Sequence, residues 1–232
     1  ISGTTEVCAG STTALANATA NGVWTSSNTA VATVNASGVV TGVGAGSATI
    51  TYTVTTNNCT SSAQATVNVN ALPTLAAIGG TNSACVGSTT ILTNTTTGGA
   101  WTSSNTNVAT VNSITGAVSG VSAGTSTITY TYTNSNGCTS AVTTTVTINS
   151  APVVAAITGT TSVCEGATTA LANATTGGVW STANTATATV NATGVVTGVA
   201  SGSTTILYTV TNANGCVTTV STALTVNAIP LV

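Results

Sequence analysis

Residues Ala48-Thr49-Ile50-Thr51-Tyr52-Thr53-Val54-Thr55 alternate apolar and polar side chains without a break. Strict period-two alternation, rich in β-branched and aromatic residues, is the pattern of a strand with one face buried and one face wet. Ala65-Thr66-Val67-Asn68-Val69-Asn70 repeats it. The segments around them are punctuated by Asn21-Gly22, Ala36-Ser37-Gly38 and Gly44-Ala45-Gly46, residues that accept the positive φ of tight turns. Working outward, strands are expected near 4–8, 12–16, 22–26, 30–35, 39–43, 46–56 and 62–70. About seven short strands separated by regular turns predict a β-sandwich. No segment carries a convincing helical period.

The same pattern occurs three times. Cys8, Cys85 and Cys164 step by 77 and 79 residues, as do Trp24, Trp101 and Trp180. Cys59, Cys138 and Cys216 step by 79 and 78, and so do Pro73, Pro152 and Pro230. A fixed period of this kind marks a tandem array. The expected modules are 1–72, 73–151 and 152–229, with 230–232 as the start of a following module's first strand. The predicted fold class is all-β, three tandem sandwich modules.

The stretch from Val23 to Asn35, followed by Gly38 to Val43 and Gly46 to Thr51, resembles the bacterial immunoglobulin-like domain, group 2, of intimin- and invasin-like surface repeat proteins. The resemblance recurs at Ala100 to Thr129 and at Val179 to Leu207. It implies an immunoglobulin-like fold and an extracellular spacer role, and it carries no catalytic residues. The turns at Asn134 to Cys138 and Asn212 to Cys216 resemble those of long secreted bacterial repeat proteins.

Composition narrows the function classes. The 232 residues contain 59 Thr, 24 Ser and 22 Asn, and no Lys, Arg, His or Asp. Glu6 and Glu165 are the only side-chain carboxylates. No charge relay, zinc site of the usual His kind or carboxylate calcium cage can be assembled, so an enzyme is not expected and neither a cofactor nor a metal is called for. Without basic residues there is no counterion-release term for nucleic acid, and no apolar run reaches the ~20 residues that span a bilayer, so neither nucleic-acid binding nor membrane insertion is expected. A net charge of −2 leaves self-association nearly unopposed.

The six cysteines allow 15 pairings. The equal separations within each copy, 51, 53 and 52 residues, favour the intramodule set Cys8–Cys59, Cys85–Cys138 and Cys164–Cys216. Disulfides place the protein outside a reducing cytosol, at the cell surface or secreted. Trp24, Trp101 and Trp180 are expected as core aromatics, one per module, packing near the disulfide. Glu6 and Glu165 occupy different positions of different modules and read as solvated surface. The linkers Asn70-Ala71-Leu72-Pro73 and Asn149-Ser150-Ala151-Pro152 are short and stiffened by proline, which predicts a rod advancing roughly 35–40 Å per module. Pro230, Leu231 and Val232 repeat the start of such a linker, the candidate for an intersubunit strand. Either continuation of a longer array or head-to-tail strand complementation then gives an open fibre. The expected function is a structural extracellular filament, fibre or stalk whose partner is a further copy of itself. The alternative is an adhesin segment binding a surface glycan, ice or a host receptor.

Overall fold

The computed structural model describes residues 1–230; Leu231 and Val232, two of the three residues of the candidate intersubunit strand, lie outside the described residues. The first module runs through β1 (Ser2–Gly3), β2 (Glu6–Cys8), β3 (Thr12–Ala16), β4 (Val23–Ser26), β5 (Ala32–Val34), β6 (Val39–Gly42), β7 (Gly46–Thr56) and β8 (Cys59–Asn70). These form two four-stranded sheets, ordered β1-β3-β6-β5 and β2-β8-β7-β4. The strands between Gly79 and Asn149 and between Thr158 and Asn227 repeat both sheet orders. The protein is thus three tandem immunoglobulin-like sandwiches.

The single strand expected near residues 4–8 is two strands in different sheets. β1 pairs antiparallel with β3, whereas β2 pairs parallel with β8. Gly3 makes the crossing possible: its φ is +124°, and a Cβ there would collide with the Ala14 carbonyl. Gly80 and Gly159 repeat the device against Ile91 and Ala170.

The period-two pattern is read out directly as burial. Along β7, Ala48, Ile50 and Tyr52 face inward, while the threonines between them stay partly exposed. The cores use one set of positions three times over: Leu15, Leu92 and Leu171; Val40, Val118 and Val196; Ile50, Ile128 and Ile206. Burying aliphatic side chains of this size contributes about 1.5–3 kcal/mol each before entropy. Ser126 replaces an apolar core residue, and its buried hydroxyl is satisfied by Ser103 Oγ at 2.9 Å and the Asn105 amide at 3.1 Å.

The long strands β7 and β8 are interior to their sheet, and the edges are strands of two to four residues. Shortness protects these edges, on which Glu6 in β2 is the one charged residue of the first module, against stray pairing.

Trp101 is buried, while Trp24 and Trp180 are half-buried against their cores. Each packs tilted against a tyrosine, Tyr52, Tyr130 or Tyr208, at a centroid distance of 4.6 Å. The tyrosine hydroxyl then pins the loop before the Trp strand. Tyr52 donates to the Thr19 carbonyl and accepts from the Gly22 amide, both at 2.7 Å. Gly22, Gly99 and Gly178 lie so close to these rings that a Cβ would fall inside them. Gly99→Ala should therefore overpack one module and cost about 1–3 kcal/mol. Urea unfolding followed by tryptophan fluorescence should show one module's share of the transition moving to lower denaturant.

The module joints as the candidate functional site

Cys8 ends β2, and its parallel pairing sets it beside Asn70, the last residue of β8. Cys59 begins β8, eleven residues away along the same strand. At ~3.3 Å per residue, the two cysteines of one module are separated by roughly 36 Å. A disulfide needs Cα atoms within about 7 Å, so Cys8 and Cys59 cannot be joined. Cys85 with Cys138, and Cys164 with Cys216, are separated in the same way along Thr139–Asn149 and Val217–Asn227.

The bonds formed instead run between modules. Cys8 pairs with Cys138 and Cys85 with Cys216, each with Cα atoms 5.6 Å apart. The expected intramodule set is thereby corrected: the first cysteine of one module is bonded to the second cysteine of the next. Cys59 and Cys164 are free and exposed. The disulfides belong to the joints, and the aromatic partners of the tryptophans are the core tyrosines.

Each joint is built from the end of one sandwich and the hairpin tip of the next. In the second module the loop from Asn134 to Cys138 is closed by the Asn134 carboxamide, whose Oδ1 accepts from the Asn136 and Cys138 amides. Its Nδ2 reaches back to the Ala71 carbonyl of the first module at 3.2 Å. Asn212 does the same for Cys216 and donates to Ser150 O at 2.9 Å. Thr218 Oγ1 adds a bond to Pro152 O. The linker itself is gripped by the module it enters. Asn94 Nδ2 donates to Ala76 O at 2.8 Å, Asn173 Nδ2 to Ala155 O at 2.7 Å, and the Ala155 amide to Thr175 Oγ1 at 3.0 Å. Leu75 and Ile78 pack onto the second core. Two modules are thus held at two separate points, a seated linker and a disulfide, which removes the hinge freedom of a single tether. In the chain-entropy model, closing loops of 130 and 131 residues is worth about 5 kcal/mol each.

The carboxylates are engaged in hydrogen bonds where they stand, Glu6 at the surface as expected and Glu165 half-buried. Glu6 is exposed but accepts from Asn68 Nδ2 and Asn70 Nδ2, both at 2.8 Å. Glu165 is half-buried beside Cys164 and accepts from the Ser201 amide. Among the described residues no cluster of three His, Cys, Asp or Glu side chains could hold a metal ion. What the sequence reasoning missed is the asparagine pair at each joint; the Asn-x-Asn-Gly-Cys runs flagged the turns but not what they reach.

The bacterial Ig-like domain (group 2) family model matches residues 2–67. No curated protein matches the chain. Among solved structures, domains 1–6 of the surface layer protein SbsC align at 22% identity and a TM-score of 0.29, over 91% of this chain and 36% of that one. A SusE-like surface located polysaccharide binding protein from Bacteroides thetaiotaomicron aligns at 15% identity and a TM-score of 0.40, over 89% of this chain and 43% of that one. The chain therefore spans less than half the length of these structures.

Two outcomes are expected. Thiol titration of the unreduced single chain should count two thiols, and Cys138→Ser should raise the count to three by releasing Cys8. The Glu6 carboxyl is held below its ordinary 4.5 by the Asn68 and then the Asn70 hydrogen bonds. A depressed folded value contributes stability that is complete above the unfolded value and lost as pH falls through the folded one. The urea midpoint of the first module should accordingly be lower at acid than at neutral pH, and Glu6→Gln should narrow that difference.

Proposed function

Starting from a first module that is a bacterial Ig-like domain of group 2, with two further copies of its fold behind it, we propose that the protein is structural: an extracellular run of modules forming a bacterial surface filament or stalk. The observation that carries this reading is the pair of intermodule disulfides. A bond inside each sandwich would stabilise the sandwich alone, whereas bonds across the joints fix the direction in which modules follow one another. Disulfides also persist in the oxidising conditions outside the cell. The close similarity of the three modules supports a scaffold over an adhesin, whose site would sit on one specialised domain. Because the chain lacks Lys and Arg, trypsin-like proteases have no site to cut.

Small-angle scattering of the unreduced chain tests the reading. A stiff rod of roughly 110 Å is expected, three modules at about 35–40 Å each. Cys138→Ser combined with Cys216→Ser should keep the modules folded but broaden the scattering toward bent conformers. A chain that is hinged with both disulfides intact would overturn the proposal. Electron microscopy of unreduced native material should show fibres with an axial repeat of one module or a multiple of it.

A further inference from the structure

Resting on that structural reading, we propose that Cys164 and Cys59 are complementary halves of one more joint, through which a further module of this kind, such as one supplied by a second copy of this chain, is bonded head to tail by a Cys164–Cys59 disulfide. Cys164 stands where Cys8 and Cys85 stand. Each ends a short strand paired in parallel with the last strand of its module, opposite Asn70, Asn149 and Asn227 respectively. Two of these three equivalent cysteines are bonded to a following module, and the third is exposed and free. Cys59 occupies the complementary position. It follows the tip of the β7–β8 hairpin, as Cys138 and Cys216 follow theirs, in a turn one residue shorter that uses Asn57 and Asn58 at positive φ.

A second feature at the same end of the first module points to the same partner. Asn17, Thr19, Tyr52 and Val54 line an open groove with Ser61 to Ala63, a few residues beyond Cys59. The equivalent positions of the later modules seat the incoming linker, through Asn94 on Ala76 and through Asn173 and Thr175 on Ala155. Asn17 Oδ1 accepts from the Thr19 amide at 2.9 Å, as Asn94 and Asn173 accept in their own turns. The groove and Cys59 together repeat the receiving half of both joints seen within the chain. Cys164, with Asn227 and Ala228 beside it, repeats the donating half.

Bond formation requires a disulfide oxidant, such as a low-molecular-weight disulfide. The Cys164 thiolate attacks it, forming a mixed disulfide and releasing one thiol. Cys59 of the second copy then attacks the Cys164 sulfur and displaces the second thiol. Two protein thiols are oxidised and one disulfide is reduced to two thiols.

The test is oxidation of the intact chain with glutathione disulfide, read on non-reducing gels and by mass spectrometry of linked peptides. The wild type should form a ladder in steps of 22.0 kDa that collapses on reduction, with Cys59 linked to Cys164. Cys59→Ser and Cys164→Ser should each stay monomeric, and an equimolar mixture of the two should stop at the dimer. Retention of the Cys8–Cys138 and Cys85–Cys216 peptides verifies that the variants fold. Symmetric dimers of Cys59→Ser, bonded Cys164 to Cys164 and as abundant as the wild-type ladder, would overturn the proposal, as would wild-type chains that remain monomeric under the oxidant. Fibres that persist with both thiols titratable would overturn the disulfide joint while leaving the filament reading standing.

Discussion

The hairpin of β7 and β8 sets the terms for everything at the joints. Its strands are eleven and twelve residues long, and its register runs unbroken from Thr56–Cys59 at the tip to Gly46–Val69 at the base. A cysteine at the tip and a cysteine beside the base cannot meet, because a rigid, fully paired ladder lies between them. A partner for either can come only from a neighbouring module, as it does for Cys8, Cys85, Cys138 and Cys216. The parallel pairing of β2 with the base of β8 completes the arrangement, since it carries the first cysteine to the end at which the chain leaves the module.

The composition shows how a sandwich is held together almost without charge. The cores are aliphatic and repeated position for position, with one Trp–Tyr pair as the large space-filler in each. Asparagine takes on the ordering of turns and linkers that charged pairs share in other proteins. Asn35 Oδ1 accepts from the amides of Ser37 and Val39, and Asn191 repeats the bond to Val195. Threonine covers the outer faces, and some of its hydroxyls satisfy one another across strands, as Thr209 and Thr219 do at 2.9 Å. Neutral hydrogen bonds of this kind are worth about 1 kcal/mol each and do not depend on ionic strength.

Most of the fold was legible in the sequence because alternation and turn residues act locally. The run from Ala48 to Thr55 announces its strand, its two faces and its core residues together. The splitting of the first strand was not legible, because the crossing at Gly3 depends on which sheet each half meets. The cysteine pairing was hidden for a different reason. In a periodic array every pairing rule that respects the period gives regular separations, so 51, 53 and 52 residues within modules are no more orderly than 130 and 131 between them. Regularity could not choose; only the distance along β8 could. Once that strand is recognised as running from Cys59 to Asn70, the intramodule set is excluded, and the cysteines must be matched across the joints.

The two crosslinks overlap in sequence, since the loop from Cys8 to Cys138 encloses Cys85 and the loop from Cys85 to Cys216 encloses Cys138. Every peptide bond between Cys8 and Cys216 therefore lies inside at least one closed covalent ring. A single hydrolytic cut anywhere in that span opens a ring without parting the molecule, and both linkers fall within it. Continuity of the molecule is in this sense redundant: the backbone can be severed once at its most exposed points and the two pieces still travel as one.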